Sequence, residues 1–197
     1  MNRSGGARGQ RAGRGASGAT PATIRCFIAL QPDEAARERL DRLAREQHAR
    51  FPSARRMRPE NIHLTLAFIG ALDAELARQV AARLAAEAGT PFAWSLDAVG
   101  AFAGARALWA GGSDPQLDAL AERSRRLLDE LGVRFDRKPF VAHVTLLRNV
   151  PRDGARDAAR RIEPPILWRA GGAVLLESQA DANGVRYVPV AAQAGSG

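Results

Sequence analysis

Short apolar runs alternate along the chain with longer stretches in which apolar residues return every three or four positions. Thr23 to Leu30 is almost wholly apolar, as expected of a strand covered on both faces. From Asp33 to Arg50 the pattern changes to that of an amphipathic helix, with Leu40 and Leu43 on its apolar stripe and Pro32 at its start. Turn-forming residues between Phe51 and Glu60 lead into a second strand, Asn61 to Ile69, closed by Gly70. A second helix is predicted over Asp73–Ala88. Phe92–Ala103 and Arg106–Ala110, joined by Gly104-Ala105, read as a hairpin carrying Trp94, Leu96, Leu108 and Trp109. Pro115 to Leu131 is a third helix ended by Gly132, and Phe140 to Leu147 is a strand of the same character as Asn61 to Ile69. A short polar helix over Asp153–Arg161 and strands over Ile166–Ser178 and Gly184–Val190 complete the pattern. Strands and helices alternate without a long parallel array, which predicts an α+β fold with antiparallel sheets.

Composition narrows the class of protein. With 197 residues and 46% hydrophobic side chains, the chain can bury about 70% of its unfolded surface and needs neither disulfide nor structural metal. Its one cysteine, Cys26, lies inside the first apolar strand, so no intrachain disulfide and no cysteine-based zinc site can form. No apolar stretch approaches the roughly 20 residues that span a bilayer, and the N-terminus has no signal-peptide hydrophobic region. A cytoplasmic protein without membrane contact is expected. The net charge of +8 looks like a nucleic-acid signature until it is located: Arg3, Arg8, Arg11 and Arg14, with no acid among residues 1–22, supply half of it. That segment is Gly-rich and apolar-poor and reads as a disordered tail. The expected organisation is this tail, one folded unit over residues 23–191, and a flexible C-terminus at 192–197.

The chemistry lies in the two matching strands. One holds His63-Leu64-Thr65-Leu66, the other His143-Val144-Thr145-Leu146, 80 positions later. Side chains alternate across a strand, so each histidine shares a face with its threonine while the aliphatic partners point to the core. The chain has only five threonines and three histidines, and two such placements argue for an internal duplication. His48, in the first helix, has no threonine partner and reads as a surface residue.

These residues carry a resemblance. The strand Cys26–Leu30, the stretch Asn61-Ile62-His63-Leu64-Thr65-Leu66-Ala67-Phe68-Ile69-Gly70, Ala107–Gly111, Pro139–Arg148 and Arg186–Val190, in this order, resemble the RNA 2′,3′-cyclic phosphodiesterases of the two-histidine phosphoesterase superfamily, also called the 2′-5′ RNA ligase family. The resemblance covers nearly all of residues 24–190. It implies a bilobal, pseudo-twofold fold with two antiparallel sheets facing a central cleft and helices packed outside. It departs from the family at Ala142, where a proline often precedes the second histidine.

Hydrolysis of a cyclic phosphodiester needs a base for the attacking water and an acid for the leaving ribose oxygen, on opposite sides of an in-line displacement. Imidazole suits both roles near neutrality. By resemblance, His63 is the proton donor, His143 the proton acceptor, and the product a 2′-phosphomonoester. Thr65 and Thr145 would donate hydroxyls to the non-bridging phosphate oxygens, and Arg148 falls where the family places a phosphate-contacting arginine. Phe27 and Phe140 are candidates to line the base side of the cleft. No metal or other cofactor is implied, and the expected partner is RNA with 2′,3′-cyclic phosphate ends, bound by a monomer. The same acid and base run backwards would ligate 2′-5′ ends or act on another 2′-5′ or cyclic nucleotide. A zinc enzyme would want a third protein ligand, and no His-Glu-x-x-His or Cys cluster appears; a non-catalytic RNA-binding module lacks a recognisable stacking motif.

Overall fold

The structure is a computed structural model that describes residues 22–152, 158–182 and 184–191. Its elements are β1 (Thr23–Leu30), α1 (Glu34–Arg50), β2 (Arg55–Arg56), a 3-10 turn (Pro59–Asn61), β3 (Leu64–Asp73), α2 (Ala74–Ala86), β4 (Phe92–Phe102), β5 (Ala107–Gly111), α3 (Pro115–Glu130), β6 (His143–Arg148), β7 (Arg160–Ala170), β8 (Val174–Asp181) and β9 (Gly184–Pro189). The α+β reading holds. Each helix begins where an aspartate accepts orphaned backbone N–H groups: Asp33 from Ala36, Asp73 from Glu75 and Leu76, Asp114 from Gln116 and Leu117. Asp33 and Asp73 therefore stand just outside the helices whose starts they mark in sequence.

Several strand boundaries differ from the expectation, for local reasons. β3 runs past Gly70 to Asp73, because the glycine takes a φ of 88° and stays paired with Cys26. The expected strand Ile166–Ser178 is two strands, β7 and β8, separated at Gly171-Gly172. The expected polar helix over Asp153–Arg161 lies mostly outside the described residues, and its last two positions, Arg160 and Arg161, are the start of β7. β7 contains Pro164 and Pro165, which cannot donate to a ladder; they fall where the pairing with β4 skips from Leu96–Ile166 to Ala98–Arg161.

The strands form one antiparallel sheet in the order β7-β4-β5-β6-β3-β1-β8-β9, with β2 added to β6. It divides into two four-stranded lobes, β3-β1-β8-β9 and β6-β5-β4-β7, related outward from the centre strand for strand. A strand–helix–strand unit heads each lobe, β1-α1-β3 in one and β5-α3-β6 in the other. The duplication is not two contiguous halves of sequence, since the first lobe is completed by the C-terminal hairpin β8–β9. Between the lobes β3 and β6 pair at a single position, Leu64 opposite Val144. The helices brace this joint: α1 packs on β6 and β7 of the opposite lobe, and α3 packs on β3. Leu40 and Leu43 are buried as expected, as are Trp94, Leu96 and Leu108, and Trp94 stacks with Trp168 at 5.3 Å.

Leu64 and Val144 are fully buried at the junction. Leu64→Ala should lower unfolding free energy by about 2–5 kcal/mol, measured by urea denaturation, and should reduce activity more than an equally destabilising change at Leu117, a buried leucine of α3.

Candidate active site

The two strands that meet at Leu64 and Val144 overlap only at their first residues. Antiparallel pairing centred there sets His63 beside Thr145 and Thr65 beside His143. Leu64, Val144, Leu66 and Leu146 are buried, while the two histidines and two threonines are half-buried on the opposite face. The structure thus brings together all four residues of the two motifs.

Both imidazoles are held in the same way. His63 Nδ1 donates to the carbonyl of Asn61 at 2.7 Å, and His143 Nδ1 donates to the carbonyl of Val141 at 2.7 Å. A carbonyl can only accept, so in each neutral ring the proton sits on Nδ1 and the lone pair on Nε2. The Thr65 hydroxyl donates to His63 Nε2 at 3.0 Å.

A pair of matching bulges brings further residues to this face. In β6, Thr145 faces Trp109 and Leu147 faces Leu108, so one extra residue is inserted and both Leu146 and Leu147 point inward. The insertion restores Arg148 to the histidine side, although it lies an odd five positions after His143. β3 repeats the device: Thr65 faces Ala29, Ala67 faces Ile28, and Leu66 and Ala67 are both buried. Phe68, 39% exposed, therefore stands in the first lobe where Arg148 stands in the second, directly opposite Phe27. The lobes match in backbone and differ in chemistry.

Aromatic rings pack against each imidazole. Phe27 lies 4.8 Å and Tyr187 5.0 Å from His63 between ring centroids, and Phe102 lies 4.8 Å and Trp109 6.3 Å from His143. Trp109 reaches that place across Gly100, where a Cβ would sit 2.3 Å from the indole. Phe140 packs against the main core and makes no ring contact with either histidine among the described residues.

Burial disfavours the charged imidazolium. His63 is pushed down to about 4, chiefly by desolvation, with Arg148 and His143 adding to the fall and the Asn61 carbonyl opposing it. His143 is lowered by desolvation and by Arg148, against the Val141 carbonyl. Arg148, which the bulge in β6 turns to the histidine face, lowers both rings.

A model of the LigT-like phosphoesterases matches residues 30–109 and 112–187. The chain belongs to the LigT-like phosphoesterase family. Among its relatives, the RNA 2′,3′-cyclic phosphodiesterase of Archaeoglobus fulgidus is 33% identical over 129 residues, 64% of this chain and 72% of that protein. The protein of that name from Escherichia coli K12 is 32% identical over 128 residues, again 64% and 72%. The crystal structure of E. coli LigT in apo form superposes with a TM-score of 0.69 at 28% identity, covering 85% of this chain and 94% of that one. LigT complexed with 3′-AMP gives 0.68 at 25% identity, covering 85% and 95%. The protein is accordingly an enzyme of the phosphoesterase class.

In this LigT-like site, sequence reasoning missed Asn61, Phe68, Phe102, Trp109 and Tyr187. Asn61 is buried; its carboxamide donates to the Val185 carbonyl at 2.6 Å and accepts from the Tyr187 amide at 3.2 Å, while its own carbonyl holds His63. The only sequence signal for it was its position two residues before a histidine. Among the described residues, no three His, Cys, Asp or Glu side chains converge as a metal site.

The depressed His63 pKa contributes to the acid side of the stability curve. An unfolded chain protonates this ring near its ordinary value of about 6.5, the folded one near 4, so stability is full above the first and falls as pH drops towards the second. The loss should be on the order of 3 kcal/mol, and His63→Gln should flatten it. A slope between pH 6.5 and 4 that is the same in both proteins would show that the ring is not desolvated.

Proposed function

We propose that the protein hydrolyses RNA 2′,3′-cyclic phosphate ends to 2′-phosphomonoesters by histidine acid–base catalysis. The reading rests on one observation, the pair of imidazoles tied at Nδ1 to backbone carbonyls, which turns both Nε2 atoms away from the backbone, that of His63 meeting the Thr65 hydroxyl. The names of the relatives from A. fulgidus and E. coli support the substrate class.

In this reading His143 Nε2 takes a proton from water as its oxygen attacks phosphorus, and the bond from phosphorus to O3′ breaks. His63, protonated at Nε2, delivers that proton to O3′. Exchange with solvent resets both rings. Thr65, Thr145 and Arg148 hold the non-bridging oxygens, where charge persists through the transition state. His63 is the more strongly depressed ring and carries little proton at neutrality in the free protein. A bound phosphodiester anion offsets Arg148 and favours the imidazolium, so substrate brings the acid into its working form. Phe27, with Phe68 opposite, supplies the aromatic side of the site, and Arg148 the cationic side. Phe140 enters this reading only as support beneath β6. A cytoplasmic monomer is the setting we propose, in keeping with the Cys26 thiol, which is buried and pushed up to about 11.

A short RNA ending in a 2′,3′-cyclic phosphate should be converted to the 2′-phosphate in excess EDTA, with the phosphate position read by NMR. His63→Ala and His143→Ala should each fold and lose about 10²–10⁴-fold in rate. Full activity in either variant, or a 3′-phosphate product, contradicts the assigned roles. The free-enzyme profile, kcat/KM against pH, should be a bell whose limbs lie below the ordinary histidine value, and the kcat profile should lie at higher pH because substrate raises both rings.

A further inference from the structure

Beside the catalytic face, β2 and β9 enclose a pocket of about 230 Å³ whose lining includes Arg55, Arg56, Arg58, Asn61, Val185 and Tyr187. Two of these residues belong to both places. Tyr187 packs its ring on His63, and Asn61 holds His63 through its carbonyl while its side chain fixes β9. The pocket is thus the direct continuation of the site on the His63 side.

Its three arginines differ in how far the fold uses their charge. Arg56 forms an ion pair with the buried carboxylate of Asp41, which also takes Arg45, so its role is structural. Arg58 lies 3.8 Å from Glu60. Arg55 is exposed and has no hydrogen-bonded or ionic partner among the described residues. It is also the cross-strand neighbour of Arg148. Directly opposite residues in an antiparallel pair point to the same side with Cα atoms about 5 Å apart, and like charges placed so repel. A two-residue strand that sets one unneutralised arginine beside the phosphate-binding arginine is stabilised when anions lie on both.

We propose that this pocket binds the phosphodiester immediately 5′ to the reacting cyclic phosphate, with Arg55 as its principal contact and Arg58 beside it. The proposal rests on the hydrolytic reading above and adds a specificity to it: the protein selects the end of an RNA strand over a free nucleoside 2′,3′-cyclic phosphate. Tyr187 and Asn61 link the two subsites, so an occupied pocket also orders the wall against which His63 packs.

The test compares kcat/KM for a nucleoside 2′,3′-cyclic phosphate with that for a trinucleotide bearing the same end. The wild-type protein should favour the trinucleotide, and Arg55→Glu should lower the ratio of the two constants about tenfold, mainly through KM for the trinucleotide. A trinucleotide whose last internucleotide phosphate is an uncharged methylphosphonate should lose a similar factor on the wild-type protein, with no change to the chain at all. Equal use of mononucleotide and trinucleotide, or ratios unmoved by both changes, overturns the subsite and leaves the hydrolytic reading standing. Cleavage of neither substrate overturns both.

Discussion

One backbone contact, Leu64 against Val144, carries the site, because it is the sole pairing between the two inner strands and each bears a His-x-Thr motif at its start. Were the strands paired along their length, the motifs would lie within a continuous ladder. Here β3 and β6 overlap only at their first residues and then diverge. Two aliphatic side chains sink into the core at the junction, and the alternation of strand residues lifts two imidazoles and two hydroxyls to the other side. The crossed packing of α1 and α3 on the opposite lobes holds that junction.

Symmetry in the backbone is combined with asymmetry in the chemistry. Both lobes use the same carbonyl tether for Nδ1 and the same single-residue bulge after the threonine. The residue that the bulge presents is Phe68 in one lobe and Arg148 in the other. The proposed mechanism needs an acid and a base that differ although the two histidines are held alike, and their surroundings do differ: Thr65 bonds to His63, burial depresses that ring to about 4, and Arg148 lies in the strand of His143. A phosphate placed between them meets a cation on one side and an aromatic wall on the other.

Much of this was legible in the chain. The helices were legible from their apolar periodicity to within a residue or so of the aspartates that cap them, and the candidate histidines were marked by repetition of a three-residue motif. What stayed hidden depends on distant pairing. No periodicity announces that Arg148 shares a face with His143, because an odd spacing places it on the other face until the bulge against β5 corrects it. Phe102 and Tyr187 come to the histidines from strands remote in sequence, and Trp109 does so only because Gly100 leaves room for the indole. Phe140, close to His143 in sequence, packs against the core because it precedes the strand. The apolar pattern read as one strand through Gly171-Gly172, where β7 and β8 separate, and it did not show the start of β7, which depends on pairing with β4.

The central claim is that backbone carbonyls fix the His63 and His143 rings with the proton on Nδ1, and that the proposed function follows from both Nε2 atoms facing the phosphate. Nitrogen NMR of the histidine side chains measures it directly, in the free protein and with a nucleoside 2′-phosphate bound. The account predicts Nδ1–H tautomers for His63 and His143 in the neutral free protein, and a rise of both ring pKa values when the phosphate is bound. An Nε2–H tautomer at either position, or rings whose titration ignores the ligand, would contradict it.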